Sequence, residues 1–192
     1  MFADPMKGRH RPTGRTMLLA LGTLALAGVV AAVQSSVEAA VLRGLLMVAL
    51  VPCAAIDLEH RIIPNRITGP SALIALVAGL SLDAGGEPKR LLWTAVTAGF
   101  LLLAAFAQPS GMGMGDVKLM GVIGLFLGRP ALVALAVALV ASLLTGLALA
   151  TRLGVYKARK TALPFGPYLA LGGIVAAVAG DPLIHAYLHL HR

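Results

Sequence analysis

Two aspartates stand where an apolar chain has least use for them. Asp57 follows the apolar run GLLMVALVPCAAI (44–56) and opens DLEHRIIPNRIT, while Asp116 closes the glycine-rich GMGMGD ahead of LMGVIGLFLG. Two carboxyl groups brought to one site cannot both ionise cheaply, so one keeps a proton. The ionised member can then draw a proton from a bound water while the protonated member polarises a peptide carbonyl, the division of labour of aspartic peptidases. Which aspartate holds the proton is a property of the coupled pair and stays open here. Gly111, Gly113 and Gly115 allow backbone conformations closed to other residues and a close approach by an extended substrate. Taken alone, Gly-x-Gly reads as a loop between two membrane helices; an aspartate at its end and a second one on the same face turn the balance.

The remaining polar residues offer less. Asp4 falls in an N-terminal tail, Glu38, Asp83 and Glu87 in outer loops and Asp181 at the outer end of the last apolar segment, all expected to be solvated charges. Glu59 and His60 are expected in a hydrophilic inner loop. His185 and His189 have the i, i+4 spacing that can put two imidazoles on one helix face, with His191 beyond, but the tract lies away from the aspartates and no metal site is expected. Met112, Met114 and Met120 read as flexible packing. The single cysteine, Cys53, excludes an intramolecular disulfide framework and a multi-cysteine zinc site. No Ser/His/Asp or Cys/His set is recognisable, which counts against serine or cysteine peptidase chemistry.

The elements that must carry the aspartates follow from composition. Of 192 residues, 58% are hydrophobic and 12% charged, and the mean hydropathy is +0.88; a water-soluble domain is roughly half apolar and a quarter charged. Charge-poor stretches fall at about 17–33, 39–56, 67–82, 91–107, 117–128, 131–151 and 161–180. Period-2 alternation is absent, and ALVALAVALVASLLTGLALA (131–150) is apolar all round. That fits helices and not a β-barrel. The expected fold is therefore all-α, a polytopic integral membrane protein with about seven transmembrane helices.

The formal net charge of +8 has its cause in loop bias rather than nucleic acid. With the N-terminus inside and all seven segments crossing, 11 of the 16 Lys and Arg residues fall on inner loops, as the positive-inside rule requires. The topology is N-in, C-out. Segments 67–82 and 91–107 separate the aspartates, and two crossings return the chain to the side it left. Asp57 and Asp116, 59 positions apart, thus emerge at one face. Segment 117–128 is short for a span but is expected to cross, because otherwise the basic tract RLGVYKARK (152–160) would lie outside. Segment 17–33 has a second reading as a signal peptide; its length favours a retained helix. The division expected is a basic cytoplasmic tail at 1–15, an extra membrane helix and outer loop at 16–38, and the main membrane domain at 39–192.

Three stretches resemble the type IV prepilin peptidases, membrane aspartyl proteases of the GxGD kind. AAIDLEHRIIPNRIT (54–68) is similar to the family's aspartate followed by a basic-containing stretch and Ile/Leu-Pro-Asn; GMGMGDVKLM (111–120) matches Gly-x-Gly-Asp-x-Lys-Leu; LPFGPYLALGG (163–173) resembles a late Pro-Phe-Gly-Pro segment. The resemblance implies that Asp57 and Asp116 are catalytic, that 39–192 is the peptidase domain with a six-helix core, and that no cofactor is needed. It implies a prepilin or pseudopilin substrate, cut after the glycine ending its basic leader and before its hydrophobic helix. It places the enzyme in the bacterial cytoplasmic membrane, with the bilayer as partner and no nucleic acid. Gly113 and Gly115 shape the site. Lys118 is either a positive-inside anchor or a holder of acidic or phosphate groups. Pro64 and Asn65 form a turn that starts the next helix, and Pro164, Gly166 and Pro167 break the entry to the last one. Full-length bacterial members carry a cytoplasmic domain with paired CxxC motifs that accompanies N-methylation. With one Cys and no long inner loop, this sequence resembles the short peptidase-only members, and methylation is not expected. The competing reading is a small proton-coupled transporter or channel with Asp57 and Asp116 on an ion path.

Overall fold

The structure is a computed structural model describing residues 14–107, 112–154 and 164–190, with side chains from 17 through 189. Residues 1–13 of the tail expected at 1–15, Gly111, residues 155–163 and His191 lie outside the described residues. Seven helices follow one another among them: α1 (Gly14–Ala32), α2 (Val37–His60), α3 (Asn65–Leu82), α4 (Glu87–Ala107), α5 (Met114–Leu127), α6 (Ala131–Leu153) and α7 (Gly166–Leu190). No strand occurs among the described residues. Four helices, α2, α4, α6 and α7, are long and apolar enough to cross a bilayer on their own. Their outward side chains suit that solvent: Leu103, Phe106 and Leu143 are each 70–71% exposed, which water would penalise and hydrocarbon does not. This is an all-α, polytopic integral membrane protein.

α5 is the short helix at the centre. Nine of its 14 residues are buried, and it touches α2, α3, α4, α6 and α7. A helix so enclosed satisfies its own backbone and needs no lipid-matching length. The core around it joins Leu46, Met47, Leu50 and Cys53 of α2 to Leu119, Met120 and Ile123 of α5 and Leu169, Ala176 and Ala177 of α7.

Glycine lets the helices close up. A Cβ on Gly172 would run into the Ala134 carbonyl of α6, one on Gly180 would lie 2.6 Å from the Pro130 side chain, and one on Gly124 would lie 2.7 Å from Thr94 of α4. Small residues at such crossings supply the van der Waals contact that hydrophobic exclusion cannot give inside a bilayer. Gly128, between α5 and α6, has φ +65° and must be glycine for that reason alone.

Three expectations need correcting. Glu87 is not a solvated loop charge: it opens α4, is 3% exposed, and meets Arg90, itself buried, at 2.7 Å. Arg90 also donates to the Gly79 and Asp83 carbonyls at the end of α3. A buried acid needs such a partner, and a count of charges cannot show that two will fold together. Asp181 likewise pairs with Arg43 of α2, which donates to Gln34 and to the Ala177 carbonyl as well. The last helix therefore does not stop at residue 180: a charge marks the edge of hydrocarbon, not the end of hydrogen bonding, and α7 runs through Asp181 and Pro182 to Leu190. Finally, Glu59 and His60 belong to the last turn of α2, not to the loop after it.

Candidate active site

α2 ends where Arg61 turns left-handed, φ 54° and ψ 38°, with its N–H bonded to the Asp57 carbonyl at 2.8 Å. Arg61 has the only positive φ of a non-glycine residue among those described. Glycine would usually hold such a cap. The chain then runs through Ile62 and Ile63 to Pro64, the N-cap of α3, and Asn65, its first residue. α5 starts from Gly113, whose extended backbone puts Asp116 in the first turn.

These pieces converge. Asp57, Arg61, Ile62, Ile63, Gly113, Gly115 and Asp116 line one pocket of about 200 Å³, with Asp57 5% and Asp116 9% exposed. Ile63 lies against Gly115, where an added Cβ would sit 3.0 Å from the isoleucine Cβ. Gly113 has no such constraint: its nearest neighbour to an added Cβ is Asp116 Oδ2 at 3.7 Å.

The third stretch supplies what its sequence did not suggest. Gly166 is the first residue of α7, so its N–H has no partner inside the helix; it donates to Asp57 Oδ2 at 2.9 Å across 109 positions. A Cβ on Gly166 would lie 2.6 Å from that oxygen. Pro164 precedes the helix and Pro167 stands in its first turn, a place where a missing N–H costs nothing. The backbone donor was invisible in the sequence because any residue but proline carries one. Only the requirement for glycine left a trace.

Both carboxyl groups thus meet a helix start, Asp57 that of α7 and Asp116 that of its own helix, where unpaired N–H groups favour negative charge. For Asp116, in the first turn ahead of the apolar run of α5, burial dominates. Burial first and the Asp57 carboxylate second push its carboxyl up from 3.8 to about 6, against a backbone hydrogen bond from Gly113 that lowers it. Lys118, exposed two residues on, donates from Nζ to Asn65 Oδ1 at 2.9 Å. His185 and His189 are exposed on the last turns of α7, roughly 30 Å along that helix from Gly166 at about 1.5 Å per residue. Met120 is buried in the core and Met114 is exposed beside the site.

Two helices of a membrane protein thus deliver two aspartates into one glycine-walled pocket. Residues 44–151 match the type IV leader peptidase family, and the chain belongs to that family. It is 31% identical to a prepilin leader peptidase/N-methyltransferase of Xanthomonas campestris over 72% of this chain and 50% of the relative. With the protein of that name from Bacillus subtilis the identity is 36% over 73% and 56%, and with that of Pseudomonas putida 30% over 95% and 65%. The chain spans about half the length of the first two. No solved structure matches it.

Proposed function

We propose that this protein is an aspartyl endopeptidase that removes the leader of type IV prepilins or pseudopilins, cutting after the leader's last glycine at the inner face of the bacterial cytoplasmic membrane. The observation that carries this reading is the meeting of Asp57 and Asp116 in one pocket, inside the stretch that matches a leader peptidase family. The ionised carboxylate takes a proton from water as the water oxygen attacks the glycine carbonyl carbon; the protonated partner donates to the carbonyl oxygen. Collapse of the tetrahedral intermediate breaks the C–N bond, and the leaving amine takes up a proton from the pair. The Gly166 amide fixes the Asp57 carboxylate throughout. Residues 39–192 form the peptidase domain, residues 16–38 an added helix and outer loop, and residues 1–15 a cytoplasmic tail, in an N-in, C-out arrangement. No reading of Asp57 and Asp116 as an ion path finds comparable support.

Cleavage of a prepilin in membranes tests the assignment. Asp57→Asn and Asp116→Asn should each abolish processing while leaving insertion intact, and the double variant should be no worse than either, since the two act as a unit. Processing near the wild-type rate by either single variant would overturn it. Chelators are expected to leave activity unchanged; loss restored by zinc would refute carboxylate activation of water. For orientation, in a Cys53→Ser background, Arg66→Cys and Ser110→Cys should be shielded from an impermeant thiol reagent outside intact cells, while Ala84→Cys labels. Outside labelling at residue 110 alone would put a bilayer, roughly 30 Å of hydrocarbon, between the two loops, and no dyad could form.

A further inference from the structure

The α2–α3 loop meets the first turns of α5 at two points. One is apolar, Ile63 against Gly115. The other is polar and on the exposed rim, the Lys118 Nζ donating to Asn65 Oδ1 at 2.9 Å across 53 positions. The chain between them forms a closed ring: Asp57, the end of α2, Arg61 to Pro64, Asn65, the hydrogen bond, Lys118, and back two residues to Asp116. Arg61, Ile62 and Ile63 within that ring line the pocket. An exposed lysine at a membrane face would ordinarily reach for water or phosphate. This one is turned onto a neutral amide at the start of another helix, whose N-cap, Pro64, makes no side-chain cap of its own.

We propose that Lys118 and Asn65 form a positioning pair that fixes the separation of the two aspartates, and that neither touches the substrate. This rests on the reading of Asp57 and Asp116 as the catalytic pair. Aspartyl chemistry needs one water held between two carboxyl groups, and a displacement of about 1 Å can lower a rate by roughly 100-fold. A single rim hydrogen bond, backed by the Ile63–Gly115 contact, is expected to be worth less, about 10-fold in kcat.

The full-length protein in detergent or liposomes, with a prepilin substrate, provides the test. Lys118→Met and Asn65→Ala should each lower kcat by about 10-fold with KM unchanged, and the double variant should lose no more than the worse single one, as groups sharing one bond do. Asn65→Asp, which keeps the acceptor and adds a charge opposite the ammonium, should retain most of the wild-type kcat and preserve it at lower salt. A raised KM in Lys118→Met with Asn65→Ala unaffected would show that Lys118 grips the substrate, and additive losses would show two independent roles. Either result overturns the pair. Asp57→Asn and Asp116→Asn run beside them: if these stay active the peptidase reading falls and the pair with it, whereas if they are dead while positions 65 and 118 behave independently, the pair alone falls. Size-exclusion profiles identify variants that fail to fold, and Asn65→Asp then decides by itself.

Discussion

A carboxyl group at the start of a buried helix answers to two opposing influences, and Asp116 shows which wins. The N-terminus of α5 favours its charge, yet burial and the neighbouring Asp57 hold its carboxyl up at about 6 from 3.8. The folded protein therefore binds this proton more tightly than the unfolded chain does, so the stabilisation is full below about pH 4 and is lost as pH rises through 6. Asp116→Asn, which cannot ionise, should melt like the wild type near pH 4 and above it at pH 7, by about 2 kcal/mol or less. Equal melting temperatures at both pH values would show that Asp116 is well solvated. Gly166 leads to a second expectation at this scale. Its added Cβ would stand 2.6 Å from Asp57 Oδ2, so Gly166→Ala should fold but cleave roughly 100-fold more slowly; Gly113→Ala, with ordinary contact distances, should lose far less. Equal rates in the two would separate the α7 amide from catalysis.

The elements were legible where hydrophobicity alone places them. All seven apolar segments became helices, and Asp57 and Asp116, expected close together, do line one pocket. What stayed hidden depends on pairs distant in sequence. The apolar run hides the end of α2, because Asp57 is buried in its last turns rather than ending them; Glu87 looked like a loop charge until folding set it 2.7 Å from Arg90. Glycine in membrane helices was equally mute, since sequence does not tell an idle glycine from one at a crossing. Gly172 and Gly146 separate the two cases. Gly172→Ala drives a methyl into the Ala134 carbonyl of α6, whereas Gly146 has nothing within 4 Å of an added Cβ. The first should destabilise by about 1–3 kcal/mol, as overpacked interiors do. The second should be neutral or slightly stabilising through helix propensity, by about 0.5–1 kcal/mol. Thermal melting in detergent compares them, and equal shifts would mean that α6 and α7 pack more loosely than described.

The whole molecule is fastened at two opposite ends. At one, Gln34, Arg43 and Asp181 tie the end of α1 to α2 and α7; at the other, three stretches far apart in sequence meet at the aspartates. A chain ending at Leu153 keeps both aspartates and six helices but lacks the Gly166 amide. It is expected to insert and to leave prepilin uncut, and measurable cleavage by it would show α7 to be dispensable. The order of synthesis gives that third contribution a further meaning. The ribosome delivers Asp57 first, Asp116 next and the amide that steadies Asp57 only after both. A molecule halted before Gly166 would hold both acids without the means to use them, so activity would arise only once α7 has been added, and products of interruption between the two would be inert beside the precursors they could otherwise damage.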